Sequence, residues 1–368
     1  MQKKIVLFSS LAFLLTALVF TGCGKSSAVK PDQGQPAQEA KNMALYKGQD
    51  RKDLLLKGAQ AERELFIYEA MSKEDLQPIM EKFKEKYPFI NIQVYRGSAN
   101  EARQRLLTEY KAGKSVADVF GSATVDLEIA RREQTLQKFS SPEADAYPEI
   151  FKNKDRYWVT YRTQMPVLGY NTKLVSKDEA PKTYEDLLDP KWKGKIAVDS
   201  EEHEWMATLV KYWGEQKGMD FFNKLSQQDL IIRTGRTLHA QLLSAGEFPI
   251  SLSTLNHRLE ELKQQGAPVD YIALEPAVAR PSAISLPAKS NHLNTALLWI
   301  DFILSEEGQK IFQGQKRIPV HPKVPADPPR MNTGFKYIMR DDAAVIDEYD
   351  KWTSLFQNLF VNRSSNRK

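Results

Sequence analysis

The chain has 368 residues, a formal net charge of +5 and a single cysteine, Cys23. That length suits about two domains of ordinary size. With 42% hydrophobic and 27% charged residues, each can bury a core. The small, scattered positive charge argues against a nucleic-acid binder. A lone cysteine at the N-terminal side excludes disulfides, thiolate catalysis and cysteine-based metal sites from the folded part.

In chain order, Met-Gln-Lys-Lys is followed by an apolar run from Ile5 to Phe20 and then by Thr21-Gly22-Cys23. A short basic start, an apolar stretch and small residues at a cleavage point predict a secretory signal over 1–22. The apolar run is shorter than the ~20 residues a membrane-spanning helix needs. Gly24 to Asn42 holds no aromatic residue and is rich in Pro, Gln, Ser and Ala, so 23–42 is predicted to be a flexible tether. A helix is predicted over Asp50–Glu62.

From Glu64 a decisive rhythm begins. Leu65-Phe66-Ile67-Tyr68 predicts a buried strand. Ser72-Lys73-Glu74-Asp75 then caps a helix carrying Leu76, Ile79, Met80 and Phe83. Ile90–Tyr95 is a second strand, followed by the cap Ser98-Ala99-Asn100-Glu101 and a helix with Leu106 and Leu107. Val116–Phe120 is a third strand, followed by Gly121-Ser122-Ala123-Thr124 and a helix through Leu127 and Ile129. Strand, hydroxyl cap and helix recurring three times imply a parallel α/β sheet with right-handed crossovers.

After 157–169 the rhythm restarts with strands at Ile196–Val198, Leu230–Ile232, Phe248–Leu252 and Val269–Leu274. Helices follow through Trp205–Trp213, Leu238–Leu243 and Leu255–Gln265. Pro276 and Pro281 frame an extended stretch returning to the first unit, which one helix over Thr295–Phe312 completes. The proline-rich stretch 319–332 is irregular, and a last helix covers Ala343–Phe360. The expected organisation is a first lobe of 43–164 and 277–328, a second lobe of 165–276, and a C-terminal helical extension over 329–368.

Thr21-Gly22-Cys23 resembles a bacterial lipobox, with Phe20 where that pattern favours Leu. The resemblance implies that Cys23 is acylated and anchors an exported protein to a bacterial membrane, facing the periplasm or exterior. Further segments are similar to extracellular solute-binding proteins of ABC importers, closest to the ferric-iron-type branch. They are 46–51 (Tyr-Lys-Gly-x-Asp-Arg), 89–98, 117–119, 169–172, 184–195 (YEDLLDPKWKGK), 245–247 and 305–309 (SEEGQ). The resemblance covers roughly 42–325. It implies the type II periplasmic-binding fold, in which two α/β lobes joined by crossing strands close on a ligand. It further implies a monomer without a resident cofactor, whose partners are a small solute and ABC permease subunits. The PKWKG and SEEGQ segments are themselves expected to be packing elements rather than ligand contacts.

In an open α/β sheet, ligand lies beyond the carboxyl ends of the strands, where helix N-termini offer unpaired N–H groups and partial positive charge. The candidates there are Ser72, Ser98, Asn100, Ser122 and Thr124 in the first lobe and Thr234 and Arg236 in the second. Ser72 and Ser98 each have an acid three residues on, so N-capping alone also accounts for them. Arg162 and Arg236 suit a carboxylate or phosphate; Arg96 is a weaker candidate. Tyr161 and Trp205 offer aromatic walls. Asn256 and His257 lie where the resemblance places the paired tyrosines of ferric-binding relatives, and Ser72 and Ala123 lie where it places a histidine and a glutamate. None of these four is an anionic oxygen donor of the kind hard Fe³⁺ requires, so the expected ligand is a polar or anionic solute, with iron as the alternative. Among the other histidines, His203 sits amid carboxylates at a predicted helix start, His239 lies near Arg236 on one predicted helix, and His292 and His321 read as surface or turn residues. An exported enzyme is the remaining alternative, but Gly-x-Ser-x-Gly, His-Glu-x-x-His and Walker motifs are all absent from the sequence.

Overall fold

The computed structural model describes residues 43–362. Cys23, the signal segment 1–22, the 23–42 tether and residues 363–368 lie outside the described residues. The first unit runs α1 (Arg51–Glu62), β1 (Glu64–Glu69), α2 (Lys73–Lys86), β2 (Asn91–Arg96), α3 (Ala99–Lys111), β3 (Val119–Ala123), α4 (Thr124–Arg132), β4 (Leu136–Gln137) and β5 (Trp158–Gln164). The second holds β6 (Pro166–Asn171), β7 (Ile196–Asp199), α5 (His203–Trp213), α6 (Glu215–Leu225), β8 (Ile231–Arg233), α7 (Arg236–Ala245), β9 (Ile250–Leu255), α8 (Asn256–Gln264) and β10 (Val269–Ile272). The chain returns through β11 (Ala277–Pro287), α9 (Leu293–Leu304), α10 (Glu306–Gly314) and β12 (Ile318–Pro319). It ends with β13 (Tyr337–Met339), α11 (Asp342–Asp347) and α12 (Tyr349–Phe356).

Two sheets result, each flanked by helices. The first has the order β12-β5-β11-β3-β1-β2, with β4 and β13 also paired to β11; the second has the order β10-β6-β9-β7-β8. The β-helix-β units give parallel pairs, β1 with β2 and β3, and β7 with β8 and β9. Both sheets are nonetheless mixed, because β11 runs antiparallel to β3 and β5, and β6 antiparallel to β9 and β10. Met165, fully buried, is all that separates β5 of the first sheet from β6 of the second. The chain passes between the lobes twice more, through β11 and between β12 and β13.

Three elements differ from the sequence expectation. The third strand runs on to Ala123, because Gly121, Ser122 and Ala123 pair with Ile284, Ala283 and Ser282 of β11, a partner some 160 residues away. The helix expected over Thr295–Phe312 is two helices. Ser305 is extended and caps α10, its Oγ accepting from Gly308 N at 3.2 Å. The helix expected over Ala343–Phe360 is likewise broken, between α11 and α12 at Glu348.

The first-lobe core centres on Phe83, Trp299, Phe302 and Phe312. The second-lobe core centres on Tyr184, Trp192, Phe222 and Met206, and it also takes in Trp352, Phe356 and Phe360 of the C-terminal segment. Each such side chain, fully buried, contributes about 2–3 kcal/mol. That segment is therefore part of the second-lobe packing. Its α11 also reaches α4 of the first lobe, where Asp347 pairs with Arg132.

Candidate functional site

A cleft of ≈ 1000 Å³ lies between the sheets, walled by both lobes, by the crossing strands β5 and β11, and by the C-terminal helices. It opens where the parallel strands end, which is why its walls are strand termini and helix starts.

On the first-lobe wall, Arg103 of α3 pairs with Asp126 and also donates from Nη2 to Asn100 Oδ1 at 2.6 Å. Ser122 Oγ reaches Asp126 Oδ2 at 3.2 Å. Burial pushes the Asp126 carboxyl above its ordinary value, with Arg103 opposing. Beneath this group, Glu69 ends β1 with its side chain buried. Its Oε1 accepts from the N–H groups of Ala70 and Met71, both at 3.1 Å, and from the Tyr161 hydroxyl at 3.2 Å. Burial pushes Glu69 up to about 7, with Arg162 opposing. Its Oε2 lies over Gly121, where a Cβ would collide with it, so glycine at this point makes room for the carboxyl. Burial and then Glu69 raise the Tyr161 phenol well above its ordinary value. On β5, Arg162 Nη1 bonds Asp75 Oδ2 at 2.8 Å.

The second-lobe wall is built on Asp199, at the end of β7. Its two oxygens accept from Glu201 N at 2.9 Å and Gly235 N at 2.6 Å, drawing the starts of α5 and α7 together. Ser200 and Thr234 share a hydroxyl hydrogen bond of 2.8 Å. Arg236 donates from Nε to Glu202 Oε1 at 3.0 Å. Glu204 receives two guanidiniums, Arg280 from β11 and Arg340 (Nη1 to Oε2, 2.9 Å). Burial works to raise Glu204, yet Arg340 and Arg280 hold it far below the usual carboxylate range. Glu202 is held low in the same way, against burial, by Arg236 and Arg280. The helices α4, α5 and α7 all begin at the cleft without a side-chain cap, after Ala123, Glu202 and Gly235.

Residues 79–335 match the family described as bacterial extracellular solute-binding protein. The chain belongs to that family. Iron uptake protein A1 of Synechocystis sp. is 25% identical over 260 residues, 64% of this chain and 70% of that one. Iron-bound HitA from Pseudomonas aeruginosa superposes with a TM-score of 0.69 at 21% identity, over 80% of this chain and 99% of that one. The periplasmic binding protein AfuA from Actinobacillus pleuropneumoniae, solved with fructose 6-phosphate bound, superposes with a TM-score of 0.65 at 22% identity, over 81% and 98%. These likenesses are to binding and transport proteins, and the fold is theirs: two lobes around a cleft.

In this solute-binding protein, five of the residues predicted from sequence line the cleft together: Asn100, Ser122, Tyr161, Arg162 and Arg236. The others lie off it. Ser72 caps α2 by accepting from Asp75 N at 3.2 Å, and Ser98 forms a full capping box with Glu101. Thr124 is buried at the start of α4, its hydroxyl unpartnered, and Thr234 stands behind Ser200. Trp205 packs its ring on Phe222 and Tyr184 in the second-lobe core. Asn256 is fully buried, donating to the Met331 carbonyl at 2.6 Å and accepting from His257 N at 2.7 Å. His257 sits beside Arg317 and Asp75, and burial, aided by Arg317, pushes it down to about 4. The remaining histidines also have structural settings, His239 on Ser251 and His292 on Asp118, except that His203 lines the cleft edge-on to Tyr349.

Sequence reasoning missed Glu69, Arg103, Glu204, Arg280 and Arg340. Arg103 was within reach, since it stands three residues after Asn100 on one helix face. Arg280 and Arg340 carry no local signal, because only strand pairing over long distance brings β11 and β13 to the cleft. Among the described residues no group of three or more His, Cys, Asp or Glu is placed to hold a metal ion, and no helix is long and apolar enough to cross a membrane.

Proposed function

We propose that this protein captures a small polar or anionic solute in the interlobe cleft and delivers it to the permease of an ABC importer, without making or breaking a bond. The observation that carries this reading is the arginine set, Arg103, Arg162, Arg236, Arg280 and Arg340, contributed to one cleft by both lobes and by the crossing strands. A guanidinium fork matches carboxylate and phosphate geometry, and closure around it excludes water from the contact. Cys23 would serve as the lipid anchor and 23–42 as the tether, holding a monomeric binding module near its importer.

Native mass spectrometry of the purified protein tests this reading by identifying a co-purifying solute, and small-angle scattering reads closure when that solute is added back. Absence of any bound small molecule, together with turnover of a chromogenic ester, would replace it with an enzyme.

Ferric iron is the second reading, favoured by the naming of relatives such as iron uptake protein A1. The cleft offers Tyr161 with its proton held firmly by burial and by Glu69, which is a poor start for a tyrosinate ligand. An iron chelate with carboxylate groups would suit the arginines better than the bare ion. A visible tyrosinate band on adding ferric nitrilotriacetate would establish direct coordination.

A further inference from the structure

The cleft has more hydrogen-bond donors than acceptors to receive them. Glu202, Glu204 and Asp126 already accept from Arg236, Arg280, Arg340 and Arg103. A guanidinium carries five N–H donors, and these pairs use only some of them. Among the described residues Arg236 is bonded only through Nε, and Arg280 only through Nη2. Arg340 is 7% exposed and lines the cleft, and among the described residues its Nη2 has no partner although its Nε and Nη1 hold Asp342 and Glu204. The helices α5 and α7 begin at the same wall without a side-chain cap, next to the Ser200 hydroxyl.

The opposite wall differs. There Glu69, Asp126 and the Asn100 side chain place oxygens, those of Asp126 and Asn100 already accepting from Arg103, and the Glu69 Oε2 has no partner among the described residues. Carboxyl and amide oxygens of this kind receive hydroxyl or amine donors. The cleft is thus polar in a directional sense, donor-rich at the second lobe and acceptor-rich at the first.

Resting on the binding-protein reading, we propose that the solute is a hydroxylated organic oxyanion bound in one orientation. Its phosphate or carboxylate end sits against Arg236, Arg280, Arg340 and the starts of α5 and α7. Its hydroxyl-bearing body lies toward Glu69, Asn100 and Asp126. The lobes close by gripping opposite ends of one molecule.

Calorimetry and thermal shift on the purified protein test this with fructose 6-phosphate, gluconate, fructose, inorganic phosphate and putrescine as probes. Binding of fructose 6-phosphate or gluconate, weakened at least about tenfold in Arg236→Gln and by added salt, is expected. The first two probes separate a phosphate end from a carboxylate end. Fructose and phosphate, each lacking half of the molecule, should bind far more weakly than the preferred probe. Arg236→Lys, which keeps the charge and loses the fork, should fall between wild type and Arg236→Gln. Ser200→Ala gives an independent variant at the same wall should Arg236→Gln unfold. Tight binding of putrescine or fructose, or anion binding indifferent to Arg236 and Ser200, would overturn the inference and leave the binding-protein reading standing. Should every probe fail, the solute seen by native mass spectrometry decides: one without an oxyanion overturns the inference alone, and no solute at all overturns both.

Discussion

The Tyr161 hydroxyl donates to Glu69 Oε1 at 3.2 Å, joining the first crossing strand to the end of β1 under the cleft floor. This places a carboxyl that resists ionisation among the residues lining the cleft.

Glu69 makes stability depend on pH. Its folded value, about 7, lies above that of an unfolded glutamate, near 4.3, so its favourable contribution is complete below pH ~4.3 and is lost as pH rises through about 7. The difference corresponds to roughly 4 kcal/mol. Glu69→Gln, which cannot ionise, should gain on the wild type by that order between pH 4.5 and pH 8. Urea unfolding at the two pH values reads it, and parallel stabilities for the two proteins would contradict the assignment.

Gly121 should tolerate no side chain. A Cβ there meets the Glu69 carboxyl, which three donors hold in place. Gly121→Ala is expected to cost about 1–3 kcal/mol. Combining it with Glu69→Ala should recover part of that loss, a coupling that thermal melts of the four proteins in the cycle would reveal.

Glu204 is the single carboxylate shared by Arg280 and Arg340. Glu204→Gln leaves the buried Arg280 without its ion-pair partner and Arg340 with Asp342 alone, and a loss of about 3–5 kcal/mol is expected at pH 7. Because the folded value is depressed, this contribution is present above the unfolded value near pH 4.3 and fades as pH falls below it. The destabilisation measured by denaturant unfolding should therefore be smaller at pH 3 than at pH 7. A loss under about 1 kcal/mol at pH 7 would show that the two arginines do not depend on it.

Asp347 and Arg132 tie α11 to α4 across the cleft mouth, but both are well exposed, at 56% and 37% of their side chains. Asp347→Ala should change unfolding stability by no more than about 1 kcal/mol. A larger loss in a thermal melt would mean that α11 is held to the first lobe chiefly by this pair.

Local chemistry made much of this molecule legible. Two strand–cap–helix units of the first lobe follow from alternating apolar patterns and from Ser72 and Ser98, whose hydroxyls are bound to the helix backbones they open, whereas the third helix starts after Ala123 without the hydroxyl cap the sequence suggests. The Gln309 of SEEGQ packs, as expected, donating to the Tyr161 carbonyl at 2.8 Å and accepting from Val320 N at 2.9 Å. What stayed hidden depends on distant pairing. Nothing near Arg280 marks it for the cleft, and only alignment of β11 between β3 and β5 puts it there. The break at Ser305 was equally obscure, because an apolar stripe continues through it, yet Gly308 must pass against the Phe302 carbonyl with no room for a Cβ.

The buried Met165 between β5 and β6 is one of three places where the backbone passes from lobe to lobe, the others being β11 and the stretch from β12 to β13. A body held at three points can twist or rock, but it cannot come apart when one strand is severed. A protease nicking the passage between β12 and β13 would leave two fragments that travel together under native conditions and separate only in denaturant. Such redundancy would keep a damaged molecule in one piece.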